Sequence, residues 1–309
     1  MSPCYNRDTI MAASPNAAGP TEKPAPASSS ASLIRLLPLL LFTVALLMRA
    51  YGLSWALPNN LRLFSYHPDE SVVVSAALGL NPFQFQLDPH FYNYGSLALL
   101  LQGAVIFLGK MAGLVGAEPL AGVPSSGALL AARLVTALLG AGTSVLLYHA
   151  GRSLYGARAG IWAGVLYAIA PLAVQHGHFA TVDVPATFFV AGSLRFAARH
   201  LSPERKKLDL LWVGIWAGLA AATKYNAGIV LLAGLAACFL AQRKETELPR
   251  LLGKGGVQLI GGTVVAFLLG CPSILLNPSG VMEAIAFESR HVQQGHGDVF
   301  TGTSPALIF

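Results

Sequence analysis

Apolar segments long enough to lie in a membrane recur along this chain. They cover residues 33–47 and then about 95–117, 126–150, 159–175, 184–199, 209–222, 226–241 and 255–272. A bilayer core takes about 20 residues of helix, and tilt or snorkelling widens that range. Runs of this kind leave few folds open except an all-α, polytopic membrane protein. Charge is sparse enough to agree. Only 11% of residues are charged and 54% are hydrophobic, whereas a soluble domain is about 25% charged. The net charge of +6 falls between the apolar runs. No basic domain of groove-binding size exists, so no nucleic-acid partner is expected. Cys4, Cys238 and Cys271 share no metal-like spacing; the last two sit in apolar runs and read as small core residues.

Basic residues set the expected orientation. Arg152 and Arg158 fall in one loop, Arg199, Arg205, Lys206 and Lys207 in a second, and Arg243, Lys244, Arg250 and Lys254 in a third. By the positive-inside tendency all three face the cytoplasm. The stretches near 52–93, 176–185 and 273–309 are poor in Lys and Arg and face outward. The run 209–241 lies between two inner loops, so it divides into two short helices with Thr223-Lys224-Tyr225 at the outer turn. Only one crossing fits between the first outer loop and Arg152. The run 95–117, broken by Lys110 and rich in glycine, is therefore predicted to be a juxtamembrane or re-entrant helix. A full crossing there would invert everything that follows. The expected layout is a disordered cytoplasmic tail over 1–32, a bundle of about seven spans over 33–272, and an outer segment over 273–309. Gly140, Gly142, Gly160, Gly164, Gly214 and Gly218 allow close helix approach.

Ionisable residues gather on the outer side. Pro68 in Tyr66-His67-Pro68-Asp69-Glu70 holds His67 extended and suits a first helical turn. Asp69 and Glu70 then complement the helix dipole, or serve a site. Asp183, at the start of a span, is an N-cap or a second site carboxylate. Lys224 snorkels at a helix end or pairs with a phosphate at the membrane surface. Arg133, inside a span near its outer end, joins such a site or pairs with a buried carboxylate. Glu288 and His291 are three apart, on one helix face. With His296 and Asp298 they form either a weak metal motif or the polar face of an amphipathic surface helix.

Taken in order, His67-Pro68-Asp69-Glu70, Arg133, Gly151-Arg152-Ser153-Leu154-Tyr155-Gly156, Thr181-Val182-Asp183 and Thr223-Lys224-Tyr225 resemble the C-type (GT-C) glycosyltransferases of family 39. That family includes the protein O-mannosyltransferases and the aminoarabinose transferases. The resemblance implies a GT-C-like helical bundle with a long first extracytoplasmic loop containing juxtamembrane helices. It implies transfer of a sugar from a polyprenyl-phosphate carrier to a protein, lipid or glycan hydroxyl, usually with inversion. Asp69 would be the general base, with Glu70 beside it. His67, Arg133, Asp183 and Lys224 would bind substrate or phosphate. Asp69, Glu70 and His291 are the candidate ligands if a divalent metal, rather than the cations, meets the leaving phosphate. The expected setting is a bacterial plasma membrane, with membrane lipid as a partner and the N-terminus in the cytoplasm. Family members carry more spans and a further C-terminal region, so the chain is expected to be C-terminally truncated. Two other readings stay open: a lipid or solute transporter, and a truncated, inactive transferase acting as a membrane scaffold. No internal repeat of the transporter kind is visible.

Overall fold

The computed structural model describes residues 29–59, 65–118, 122–241 and 253–294. Most of the tail over 1–32 and the stretch 295–309 lie outside these. The chain divides into two compact units, Met1–Leu37 and Pro38–Phe309. The described part of the first is the opening of helix α1, Ser29–Ala50. Everything below concerns the second.

Every regular element described is helical. α2 is Pro68–Leu78, α3 Leu97–Met111, α4 Ser126–Tyr155, α5 Ala157–Ile169, α6 Pro171–His176, α7 Asp183–Leu201, α8 Asp209–Thr223, α9 Leu231–Ala241, α10 Lys254–Gly270, α11 Ser273–Leu276 and α12 Pro278–Gln294. α4 is long and apolar enough to cross a membrane; α3, α5, α8 and α10 are shorter apolar helices, as is Tyr225–Ala241, a 3-10 segment running into α9. The expected division of 209–241 is present, with Lys224 leaving helical geometry at φ −147, ψ 118.

Two connections differ from the sequence reading. Residues 151–155 continue α4, and the expected inner loop shrinks to Gly156, whose φ of +89 suits a residue without Cβ. The run 159–175 is not one helix: Ala170 is extended at ψ 122 ahead of Pro171, because proline lacks an N–H and crowds the preceding turn.

Close approach holds the helices together. A Cβ on Gly214 would stand 2.1 Å from the Leu259 carbonyl, and one on Gly218 would stand 2.3 Å from that of Thr263. The α8 and α10 backbones therefore touch along a glycine face, as helices do where lipid offers no hydrophobic drive between them. At the basic end, Arg199 Nε donates to Asp209 Oδ1 at 2.7 Å, tying α7 to α8. At the opposite end α3 packs against the end of α8, α2 and the start of α4. Gly95, just before it, lies against the Ala222 carbonyl at the end of α8. Its Ile106 shares a cluster with Val74 and Ala77 of α2 and with Ala128, Leu129 and Ala132 in the first turns of α4.

Candidate functional site

The site is built at the end of the bundle that carries α2. His67 is extended at φ −88, ψ 120, Pro68 opens α2, and Asp69 and Glu70 lie in its first turn. A helix turn sends adjacent side chains about 100° apart, so the two carboxylates part company. Glu70 is fully buried. It receives Arg133 Nε on one oxygen and Nη2 on the other, each at 2.7 Å. The backbone N–H of Ala180 adds a third bond at 2.7 Å. Arg133 is buried as well, and its Nη1 donates to the carbonyls of Leu53 and Trp55 at 2.8 and 2.6 Å. A forked ion pair with its remaining polar atoms satisfied is the arrangement in which buried charges are tolerable. It clamps α2, α4, the turn after α1 and the 177–182 loop into one unit.

Asp69 points the other way and is exposed. Behind it, His67 packs on Phe179 with ring centroids 5.2 Å apart and on His176 at 6.2 Å. The Nδ1 atoms of both histidines are buried without a hydrogen-bond partner. Three residues past Ala180, Asp183 starts α7. It does not cap its helix; it accepts from Lys224 Nζ at 2.7 Å, with the two side chains 41% and 30% exposed. Lys224 also sits 5.7 Å from the centre of the Tyr94 ring. Beside this pair lies a cavity of about 430 Å³ whose lining includes Tyr167, His176, Asp183 and Thr187.

The sequence-derived candidates thus fall into two sets. His67, Asp69, Asp183 and Lys224 share one end of the molecule, joined through the Glu70–Ala180 bond. Arg133 is not at a phosphate-facing surface: the buried-carboxylate alternative is the one observed. Glu70 has its oxygens engaged, so a role as metal ligand or second catalytic carboxylate does not fit its surroundings. Among the described residues no group of three His, Cys, Asp or Glu side chains converges as a metal site. The side chains of Glu288 and His291, and the whole of His296 and Asp298, lie outside the described residues.

Sequence reasoning passed over Arg49. It is fully buried at the end of α1 and donates through Nη1 to the Ala45 and Ala168 carbonyls and through Nη2 to that of Tyr167. The last two belong to the final turn of α5, where the break before Pro171 leaves carbonyls without helical partners. An arginine closing an apolar run with no acid nearby was the available signal.

With this geometry in hand, the comparisons place the chain. It belongs to the dolichyl-phosphate-mannose-protein mannosyltransferase family, which it matches over residues 120–274. An uncharacterized protein of Aquifex aeolicus (strain VF5) is 32% identical over 142 residues, 45% of this chain and 27% of that protein. The Saccharomyces cerevisiae protein O-mannosyltransferase Pmt1–Pmt2 complex bound to the sugar donor shares the fold, with a TM-score of 0.61 at 18% identity over 81% of this chain and 34% of that one. The chain thus spans about a quarter to a third of these relatives' lengths. Fold and family together make it an integral membrane protein of the GT-C type.

Proposed function

We propose that the chain carries the catalytic end of a membrane glycosyltransferase that takes a sugar from a polyprenyl-phosphate donor and passes it to a hydroxyl of a protein, lipid or glycan. The reaction runs on the extracytoplasmic face of a bacterial plasma membrane, with the N-terminus in the cytoplasm. The observation that carries this reading is the separation of two adjacent carboxylates. Glu70 is consumed by Arg133 and Ala180, and that anchoring leaves Asp69 exposed on a rigid first turn.

A carboxylate so held can take the proton of an acceptor hydroxyl as its oxygen attacks the anomeric carbon. The bond from that carbon to the phosphate oxygen breaks on the opposite face, which inverts the centre, and the lipid phosphate departs with the electron pair. Its growing charge needs a cation but no proton. Lys224, partly exposed at the same end, supplies one by exchanging part of its contact with Asp183 for the phosphate. The yeast relative was captured with its sugar donor, which fits a donor of this class.

The test is sugar transfer from a labelled polyprenyl-phosphate donor in membranes containing the protein. Asp69→Asn should lower the rate by about 10²–10⁴-fold, the usual scale of general-base catalysis, with an unchanged melting temperature. Full activity in that variant removes Asp69 from the role. Accumulation of intact sugar inside vesicles without covalent transfer would favour transport instead.

A further inference from the structure

A second cavity, of about 530 Å³, opens at the other end of α2. Its lining includes Gly79, Phe85, Gln86, Asp88, His90 and Leu276. Its size falls within the usual range for small-ligand sites. α2 rises about 1.5 Å per residue, so the cavity begins about 15 Å along the helix from Asp69. Nothing in the transfer chemistry above uses it.

Three observations mark it as a built site. First, two non-glycine residues on its rim hold left-handed backbone, Phe85 at φ 58 and His90 at φ 50. Such conformations persist where the surroundings enforce them, and they cluster at ligand sites. The strain at Phe85 presents an aromatic ring that is 84% exposed, with Phe83 nearby and 57% exposed. Second, the carboxylate of Asp88 is fixed from behind. Tyr92 donates its hydroxyl to Asp88 at 2.8 and 3.0 Å, and Asn277 donates to the Tyr92 oxygen at 2.9 Å. Asn277 is set in turn by the Gly280 N–H at the start of α12. Burial and the hydrogen bond to Asp88 hold the Tyr92 phenol above its ordinary range, so it stays a neutral donor. Third, the Asp88 side chain remains 21% exposed after accepting these bonds and that of the His90 N–H at 3.1 Å. A carboxylate has about four lone-pair sites, so capacity is left for a ligand hydroxyl.

We infer that this cavity is a saccharide subsite, in which Asp88 accepts from sugar hydroxyls while the Phe85 ring covers a pyranose face. An aromatic platform beside a pre-oriented carboxylate and an imidazole matches a ligand with one apolar C–H face and an edge of hydroxyls. A peptide bound by strand addition would instead need a free strand edge to pair with. Among the described residues around the cavity, the single bridge between Asn81 and Gln86 is closed on itself. Assigning the subsite to the acceptor side rests on the transferase reading; saccharide binding itself does not.

The experiment measures binding of soluble mannobiose to the detergent-purified chain by saturation-transfer NMR and calorimetry. Wild-type protein should bind, and Phe85→Gly and Asp88→Asn should each weaken binding at least tenfold. Glycine accepts the left-handed backbone freely, so Phe85→Gly should melt no lower than wild type, which separates loss of the platform from loss of the fold. Asp69→Asn should bind as wild type does. If Asp69→Asn transfers sugar normally while the two subsite variants lose binding, the catalytic reading fails and the subsite stands. Absence of mannobiose binding to wild type overturns the proposal. So do equal affinities in wild type and Phe85→Gly, and so does a serine-containing peptide that binds at Phe85 where mannobiose does not.

Discussion

Glu70 and Arg133 are 63 residues apart in sequence, yet they form the most enclosed polar contact of the site. Removing one partner of a buried ion pair leaves the other charge unpaired in a dry setting, at a cost of about 3–5 kcal/mol. Glu70→Gln should therefore lower the melting temperature in detergent sharply and loosen α2 from α4. The double variant with Arg133→Met should recover much of that loss, since no charge is then stranded. Asp69→Asn, one residue away and exposed, should leave the melting curve in place. Opposite outcomes at neighbouring positions are the signature of a structural and a chemical carboxylate. The sequence displayed both acids and the proline that starts their helix, but could not tell them apart. Burial depends on which side of the first turn faces Arg133 and Ala180, and no local pattern encodes those partners.

At the level of helices, the apolar runs and the division of 209–241 were legible because each reflects a local cost: that of exposing backbone in lipid, or of translocating a cation. The turn at Thr223-Lys224-Tyr225 could be placed for that reason. The break before Pro171 was less visible, since a proline near the end of an apolar run also suits an unbroken, kinked helix. Arg49 was passed over for the same reason: the two α5 carbonyls it satisfies, those of Tyr167 and Ala168, are free of helical partners because α5 stops at Ile169. Glycine contacts give a sharp test of the packing. A Cβ at Gly218 would stand 2.3 Å from the Thr263 carbonyl, whereas nothing lies within 4 Å of one at Gly261. Gly218→Leu should destabilise the α8–α10 pair by about 1–3 kcal/mol, as overpacking does, while Gly261→Ala should be neutral or slightly stabilising. Thermal unfolding of the two variants side by side checks this.

For the whole molecule the decisive property is sidedness. The His67–Glu70 segment, Asp183 and Lys224 meet at one end, and the Arg199–Asp209 link lies at the other. In a cysteine-free background, His90→Cys should react with a membrane-impermeant maleimide on intact cells. Lys206→Cys should react only after the membrane is opened. His90 is 82% exposed and Lys206 is exposed, so accessibility does not confound the comparison. Equal labelling of both positions would break the orientation on which the transfer chemistry depends.

The forked contact between α2 and α4 also dictates an order of assembly. A ribosome delivers Glu70 before Arg133, so the acid has already left the ribosome when its base emerges within a hydrophobic helix. Arginine in such a helix is tolerated near an end and costs about 2.5–3.5 kcal/mol at its centre. A waiting counter-ion on α2 would give the newly formed α4 a reason to settle at one rotation and one register.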